Sequence, residues 1–484
     1  MYRTYTIDIT MYHSMYEYLE IVSIANTNMY NSGLFVQRQV LTGLNKEEDQ
    51  QQKNEKEVLK KIEDALPLMQ KTRKNGNGYA MPVKGREALS YEFLNSFFYV
   101  TKDENYFADV FPRKCAQQTL RMVCQDMKSF YASMREYKKN PSKFLGRPKL
   151  PYYKPKGEPS TFCLTNQTCQ IKTYQNGERE LQFPYYRGQR QAIPLGKYIQ
   201  DDWRLKEVTV VPWHGRYRIN VILDDGKTES EIIVAGKDSR RICAIDLGVT
   251  NFAAMSNNIG KPAMLFKGGV VLNANYHCTK HYGKLQSAQN SGTTQNQNLT
   301  KKMEKLLIDR ANYLSDFIHK TAKLIITWCT ENKIDTLVVG KNSLWKQNAD
   351  LGKNTGKFEQ IPYNRFIYTL EYLCKREGIL FMIQEESYTS KASFLDNDVI
   401  PIYNPKDTTK FAFSGKRNGR LYTTREGIII NADLNGSANI GHKAFPEHFT
   451  IENCDILSIP IIVRHPDLYL SGCSRYGLSE GSAT

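Results

Sequence analysis

The stretch "RRICAIDLGVTNFAAM", residues 240–255, decides the fold of the second half of this chain. Its apolar run from Ile242 to Ile245 is short and uninterrupted, as in a buried strand, and it ends on Asp246. Two later stretches repeat the arrangement. "GILFMIQEESYTSK" (378–391) carries Glu385 and Glu386 to the end of another apolar run, and "GIIINADLNGSANI" (427–440) does the same for Asp433. Taken singly, an Asp after a strand is a turn former that hydrogen-bonds its own backbone. Taken together, carboxylates at strand ends can converge on metal ions. Two Mg²⁺ ions about 3.5–4 Å apart, held by shared acids, activate a water and stabilise the leaving oxygen in phosphodiester hydrolysis. Mg²⁺ suits the task because it takes hard oxygen ligands and keeps several waters.

Around these acids the pattern alternates strand and helix. "NFAAMSNN" and "PAMLFKGG" read as hairpin partners of the 242–246 strand. A helix over about 300–332 turns Leu306, Leu307, Tyr313, Leu314, Phe317, Ile318 and Ile325 toward a core. Strand "DTLVVG", helix "IPYNRFIYTLEYLCKREG" and strand "ILFMIQ" follow, and a helix "LNGSANIGHKAF" comes after Asp433. This order predicts an α/β domain of RNase H type, with helices packed on a central mixed sheet. Residues 387–428 form an insertion with little periodicity, and 446–484 a partly ordered tail.

With 484 residues the chain holds roughly three domains. Its 66 Lys and Arg against 50 Asp and Glu leave a net charge of +16, which favours a polyanionic partner through counterion release. Thirty tyrosines add flat faces on which unpaired bases can stack. No apolar run reaches 18 residues, and the start "MYRTYTIDIT" lacks the layout of a signal peptide, so a cytoplasmic protein without membrane contact is expected. Ten dispersed cysteines contain no Cys-x-x-Cys pair, which argues against both a disulfide framework and a zinc ribbon.

In the first half, "RTYTIDI" alternates as a strand and 15–41 reads as a helix. Residues 44–80 form an exposed, charge-mixed helix, and 112–139 a helix with Cys115, Leu120, Val123, Met127 and Phe130 on one side. From Lys138 to Lys156 seven basic residues (Lys138, Lys139, Lys143, Arg147, Lys149, Lys154 and Lys156) stand without an acid, interleaved with Phe144, Tyr152 and Tyr153. Four prolines hold this segment extended. It reads either as a solvated linker or as a track for an RNA or DNA backbone. Short strands with turns at Asn176-Gly177 and His214-Gly215 then suggest a small barrel.

Blocks throughout the chain carry a resemblance. "AQQTLRMVCQDMKSFYASMREYKKNPSKFLGRPKLPYY" (116–153), "IDTLVVGKNSLWKQ" (334–347), "EESYTSKASFLDND" (385–398) and "INADLNGSANI" (430–440) resemble the TnpB family of transposon-encoded RuvC nucleases, relatives of miniature type V CRISPR effectors. The resemblance implies an α+β multidomain protein, in which a small wedge β-barrel with an inserted helical recognition lobe precedes an RNase H-like RuvC domain with its own insertion. The implied boundaries are 1–15 and 140–238 for the wedge, 16–139 for the recognition lobe, 239–386 and 429–445 for RuvC, 387–428 for a target-nucleic-acid-binding insertion and 446–484 for the tail.

Two departures stand out. Many relatives carry their second acid in an Ile-Glu-Asp-Leu-like motif, and Gly340 occupies its place in "TLVVGKN". Some branches move the acid to a later strand before Thr-Ser-Lys, which points to Glu386, with Glu385 as runner-up. Ala392 stands where a zinc-binding cysteine is expected, so no structural zinc is predicted. The implied metal ligands are Asp246, Glu386 and Asp433, for two Mg²⁺ ions that Mn²⁺ can replace. Arg310 and His319 stand where TnpB relatives carry similar residues, and they read either as contacts to the scissile phosphate or RNA or as helix-surface or core-satisfying groups. The implied protein is an RNA-guided DNA endonuclease, a monomer with guide RNA on double-stranded target DNA. The guide derives from a transposon end or from a CRISPR transcript. A nuclease-dead RNA-guided regulator and a DDE-type transposase are the competing readings.

Overall fold

The computed structural model describes residues 1–71, 78–196, 199–200, 202–232, 240–290, 299–342, 360–402, 411–451, 457 and 459–467. The chain divides into two compact units, Met1–Lys227 and Thr228–Thr484, and its architecture is mixed α+β.

In the first unit, strand β1 (Tyr2–Ile9) is followed by helices α1 (Tyr16–Leu44), α2 (Lys53–Lys71), α3 (Tyr91–Val100) and α4 (Arg113–Lys139). Then come strands β2 (Phe162–Thr165), β3 (Gln170–Thr173), β4 (Arg179–Tyr186), β5 (Gln189–Leu195), β6 (Arg204–Trp213) and β7 (Arg216–Asp224). β1 pairs antiparallel with β7 along its whole length, from Tyr2 opposite Asp224 to Ile9 opposite Tyr217. The described strands form two sheets, β1-β7-β6-β2 and β3-β4-β5. The alternation in β7, with Tyr217, Ile219, Val221 and Leu223 buried, is that of a sheet covered on one face.

The second unit is built on a six-stranded mixed sheet. Its strands are β8 (Ile242–Leu247), β9 (Asn251–Asn257), β10 (Met264–Lys267), β11 (Thr336–Gly340), β12 (Leu380–Gln384) and β16 (Ile461–Val463). The order is β12-β11-β8-β9-β10-β16, with β8, β11 and β12 parallel and β9 antiparallel to both neighbours. Helices α5 (Gly269–Gln289), α6 (Lys301–Glu331), α7 (Tyr363–Glu377) and α8 (Ala432–Ala444) surround it.

Both faces of the sheet are covered, which is why β8 reads as an unbroken apolar run. Cys243 and Ile245 pack with α6 and α7 through Phe317, Ile325, Phe366 and Leu370. Ile242 and Ala244 pack with Leu434, Ala438 and Ile440 of α8. Because side chains alternate, Asp246 shares the α8 face with residues 242 and 244.

One expectation is corrected and two segments gain detail. Tyr313 is exposed: the buried line along α6 runs through Leu314, Phe317, Ile318, Thr321 and Ile325, one position round the helix. Within the 387–428 insertion β13 (Lys416–Asn418) and β14 (Leu421–Thr423) pair antiparallel, and β14 pairs in turn with β15 (Ile429–Asn431) just beyond it. The 446–484 tail supplies β16, which runs parallel to β10 and buries Val463 in the core. Residues 403–410 and most of the tail lie outside the described residues.

Candidate active site

β8 carries Asp246 to its C-terminal end, half-buried beneath α8. Asp433 lies in the first turn of α8, whose N-cap Asn431 accepts from the Asp433 and Leu434 amides at 3.0 and 3.4 Å. Glu386 follows β12 by two residues, its amide donating to Asn342 Oδ1 at 3.1 Å. Asp246 feels the charges of the other two acids. Burial, then Glu386 and Asp433, push the Asp246 carboxyl well above the usual carboxylate range. Burial and the neighbouring Glu385 push Glu386 up to about 7, against the pull of Lys443.

Two glycines make room for these groups. A Cβ at Gly436 would stand 2.7 Å from Asp246 Oδ2. One at Gly340 would stand 2.9 Å from Glu386 Oε2 and 2.4 Å from Ile440 Cδ1. The β11 position that lacks an acid is therefore also one where a side chain would collide with the Glu386 carboxylate. Glu386 Oε2 itself is buried without a hydrogen-bond partner.

The other acids are engaged. Asp433 Oδ1 accepts from Arg417 at 2.9 Å and its Oδ2 from Asn251 at 2.8 Å, while Lys267 donates to Asn251 Oδ1 at 2.9 Å. Glu385 turns to α8, where Lys443 Nζ lies 2.6 Å from its Oε2 and the Ser387 amide 2.7 Å from its Oε1. Although desolvation opposes it, these donors hold Glu385 below its ordinary value. Among the described residues, no three acidic, His or Cys side chains already stand as a metal-holding group. A buried, unpartnered carboxylate oxygen beside two further acids is nonetheless a donor set that fits a hard divalent cation.

Sequence reasoning missed Asn251, Lys267, Arg417 and Tyr363. Tyr363 donates to the Gly248 carbonyl at 2.7 Å and stacks on Phe252. Lys267 also feels Arg420 and Arg464, so the rim beside Asp433 is cationic. Asn251 and Lys267 sit at the same end of the sheet as Asp246, a position the hairpin register could have signalled.

Arg310 donates to Asn275 Oδ1 at 2.7 Å and to the Gln360 carbonyl at 3.4 Å, and His319 is exposed on the same helix. In the basic segment, Lys138 and Lys139 belong to the last turn of α4, and Lys143 pairs with Glu136 at 2.9 Å. Arg147, Lys149, Tyr152 and Lys156 are exposed. Lys154 is held against α1: its backbone exchanges hydrogen bonds with Asn31 at 2.8 and 2.9 Å, and its ammonium lies 4.2 Å from the Tyr30 ring centre. Arg38 lies 4.8 Å over Tyr153.

No curated protein matches the chain significantly. Among solved structures, a Cas12f1–sgRNA–target DNA complex is similar at 13% identity, 85% of this chain, 82% of that chain and TM-score 0.44. A CRISPR-Cas12f ternary complex is similar at 14%, 85%, 81% and 0.32. Alicyclobacillus acidoterrestris C2c1 with single-guide RNA is similar at 10%, 89%, 69% and 0.32. Residues 227–346 match the OrfB_IS605 family, described as a probable transposase, and residues 363–440 match the TNB domain of Cas12f1-like proteins. These two matched segments contain all three acids, Asp246 in the first and Glu386 and Asp433 in the second.

Proposed function

We propose that this protein is an RNA-guided DNA endonuclease with a RuvC-type site made of Asp246, Glu386 and Asp433. The observation that carries the reading is the meeting of these acids on the α8 face of the sheet, with Glu386 in the space that Gly340 leaves open. The sheet of the second unit is read as RNase H-like, and 387–428 as the insertion that meets target nucleic acid. The strands and helices of the first unit are read as wedge and recognition lobe. A guide RNA pairs with the target strand, so base pairing carries the sequence while the protein reads duplex shape and a short flanking DNA motif. The net charge of +16 suits both polyanions.

Two Mg²⁺ ions, or Mn²⁺, held by Asp246, Glu386 and Asp433 would supply an activated water and neutralise charge on the scissile phosphate. The protein's own residues prepare that chemistry. Asn251 and Arg417 fix Asp433, Lys443 draws Glu385 away from Glu386, and Lys267, Arg417 and Arg420 attract the phosphate backbone. A nuclease-dead RNA-guided regulator is the second reading, favoured by Gly340 and by the engagement of Asp433 with Arg417.

The test is cleavage of guide-matched DNA by the purified ribonucleoprotein, together with sequencing of its copurified RNA. Asp246→Ala and Asp433→Ala are each expected to remove cleavage while target binding is retained, because metal ligands act in the chemical step. Wild-type cleavage rates in both variants would overturn the metal site. A wild-type complex that binds guide-matched DNA in Mg²⁺ without cutting it would favour the regulator.

A further inference from the structure

A cavity of about 520 Å³ opens in the helical part of the first unit, bordered by Phe35, Phe97, Phe98, Asp103, Lys61 and Tyr153. Its size falls within the roughly 300–1,000 Å³ of small-molecule sites. Phe97 and Phe98 meet edge to face at 5.5 Å and are buried, while Phe35 is half-buried and Tyr153 is 42% exposed. Asp103 Oδ1 accepts from the Asn105 and Tyr106 amides at 3.0 and 3.2 Å, and its Oδ2 makes no hydrogen bond among the described residues. Lys61 adds a cation at the rim.

Tyr153 ties this cavity to the basic segment. It stands between exposed Lys149 and Lys156, and neighbouring Lys154 is anchored to α1 through Asn31, which also borders the cavity. Proteins that hold single strands combine a cationic path for the phosphates with aromatic faces for the bases. Both elements are present here, together with a carboxylate acceptor beside the rings.

We propose that the cavity is a socket for one unpaired nucleobase of a strand whose phosphates run along residues 138–156. The base stacks among Phe35 and Tyr153, and the free Asp103 oxygen accepts from an exocyclic amine, so an amino-bearing base is favoured over uracil. The proposal rests on the nucleic-acid reading of the basic segment and adds a specific occupant to it.

The experiment uses the full chain and abasic single strands of roughly twelve nucleotides, with or without one central adenine or uracil. Wild type is expected to bind the adenine strand roughly tenfold more tightly than the fully abasic one, and uracil is expected to recover only part of this gain. Phe35→Ala and the cavity-filling Val58→Trp should each erase the adenine gain and leave abasic binding unchanged. Lys143→Ala/Arg147→Ala/Lys149→Ala should weaken every strand and keep the ratio. Equal binding of adenine and abasic strands by wild type overturns the socket and leaves the track standing. A ratio that survives both cavity variants also overturns the socket. Binding of no strand overturns track and socket together.

Discussion

Two enclosed carboxylates, one in each unit, have opposite surroundings. Asp225, whose side chain is 2% exposed, accepts from the terminal amine at 2.8 Å, from Arg3 Nε at 2.7 Å and from the Lys227 amide at 3.1 Å. These donors outweigh desolvation and hold its carboxyl well below the ordinary range. Glu386 has a buried oxygen with no donor, a neighbouring Glu385 charge and a carboxyl pushed up to about 7. The first is what a structural carboxylate looks like, since burying a charge is tolerated when it is paired and hydrogen-bonded. The second is a carboxylate left unsatisfied by its own protein. That condition is common where function requires an incoming cation or proton.

The comparison can be broken by measuring stability. The largest effect is expected at Glu386 in metal-free, EDTA-treated protein. Its folded pKa of about 7 lies above the ordinary 4.5, so between these values the unfolded chain binds fewer protons than the folded one. Stability should therefore fall as pH rises from 4.5 through 7, by at most about 3 kcal/mol. Denaturant midpoints across this range should drop for wild type and flatten for Glu386→Gln, and equal slopes would remove the contrast.

Asp225→Ala works in the opposite sense, because the folded state prefers this group charged. Its contribution is present above the ordinary pKa of 3.8 and is lost as pH falls below it. At neutral pH the substitution should cost on the order of 2 kcal/mol. This is less than for a fully buried pair because Arg3 is 31% exposed. Thermal unfolding at pH 7 would show it, and an unchanged midpoint would mean that solvent replaces the lost acceptor. The smallest change is expected from Glu385→Gln. Its amide oxygen can still accept from Lys443, and a pair with a 40% exposed partner contributes less than about 1 kcal/mol.

The sheet and its acids were legible because burial on both faces leaves unbroken apolar runs that end on the charged residue. Alternation along β8 then assigns Asp246 to the α8 side. What surrounds the acids was not legible. Asn251 reaches Asp433 across 182 positions of sequence, and Arg417 reaches it from a three-residue strand too short to show a period. The same holds for β16, whose three residues become a strand by pairing with β10. Sequence placed Lys154 on an open track, yet its contacts with Asn31 and Tyr30 come from α1, more than a hundred residues earlier. The exposure of Tyr313 shows the limit of helical periodicity, where one residue of phase separates core from solvent.

The central claim is that Glu386 fills the role for which β11 offers only Gly340. It is tested most directly by the cleavage rate of guide-matched DNA in Mg²⁺ for Glu386→Gln and Glu385→Gln side by side. The account predicts that Glu386→Gln abolishes cleavage with target binding intact, because the amide keeps the shape and loses the charge a Mg²⁺ ligand supplies. Glu385→Gln should cut at close to the wild-type rate. Collapse in Glu385→Gln with survival in Glu386→Gln would reverse the assignment, and survival in both would contradict the relocation outright.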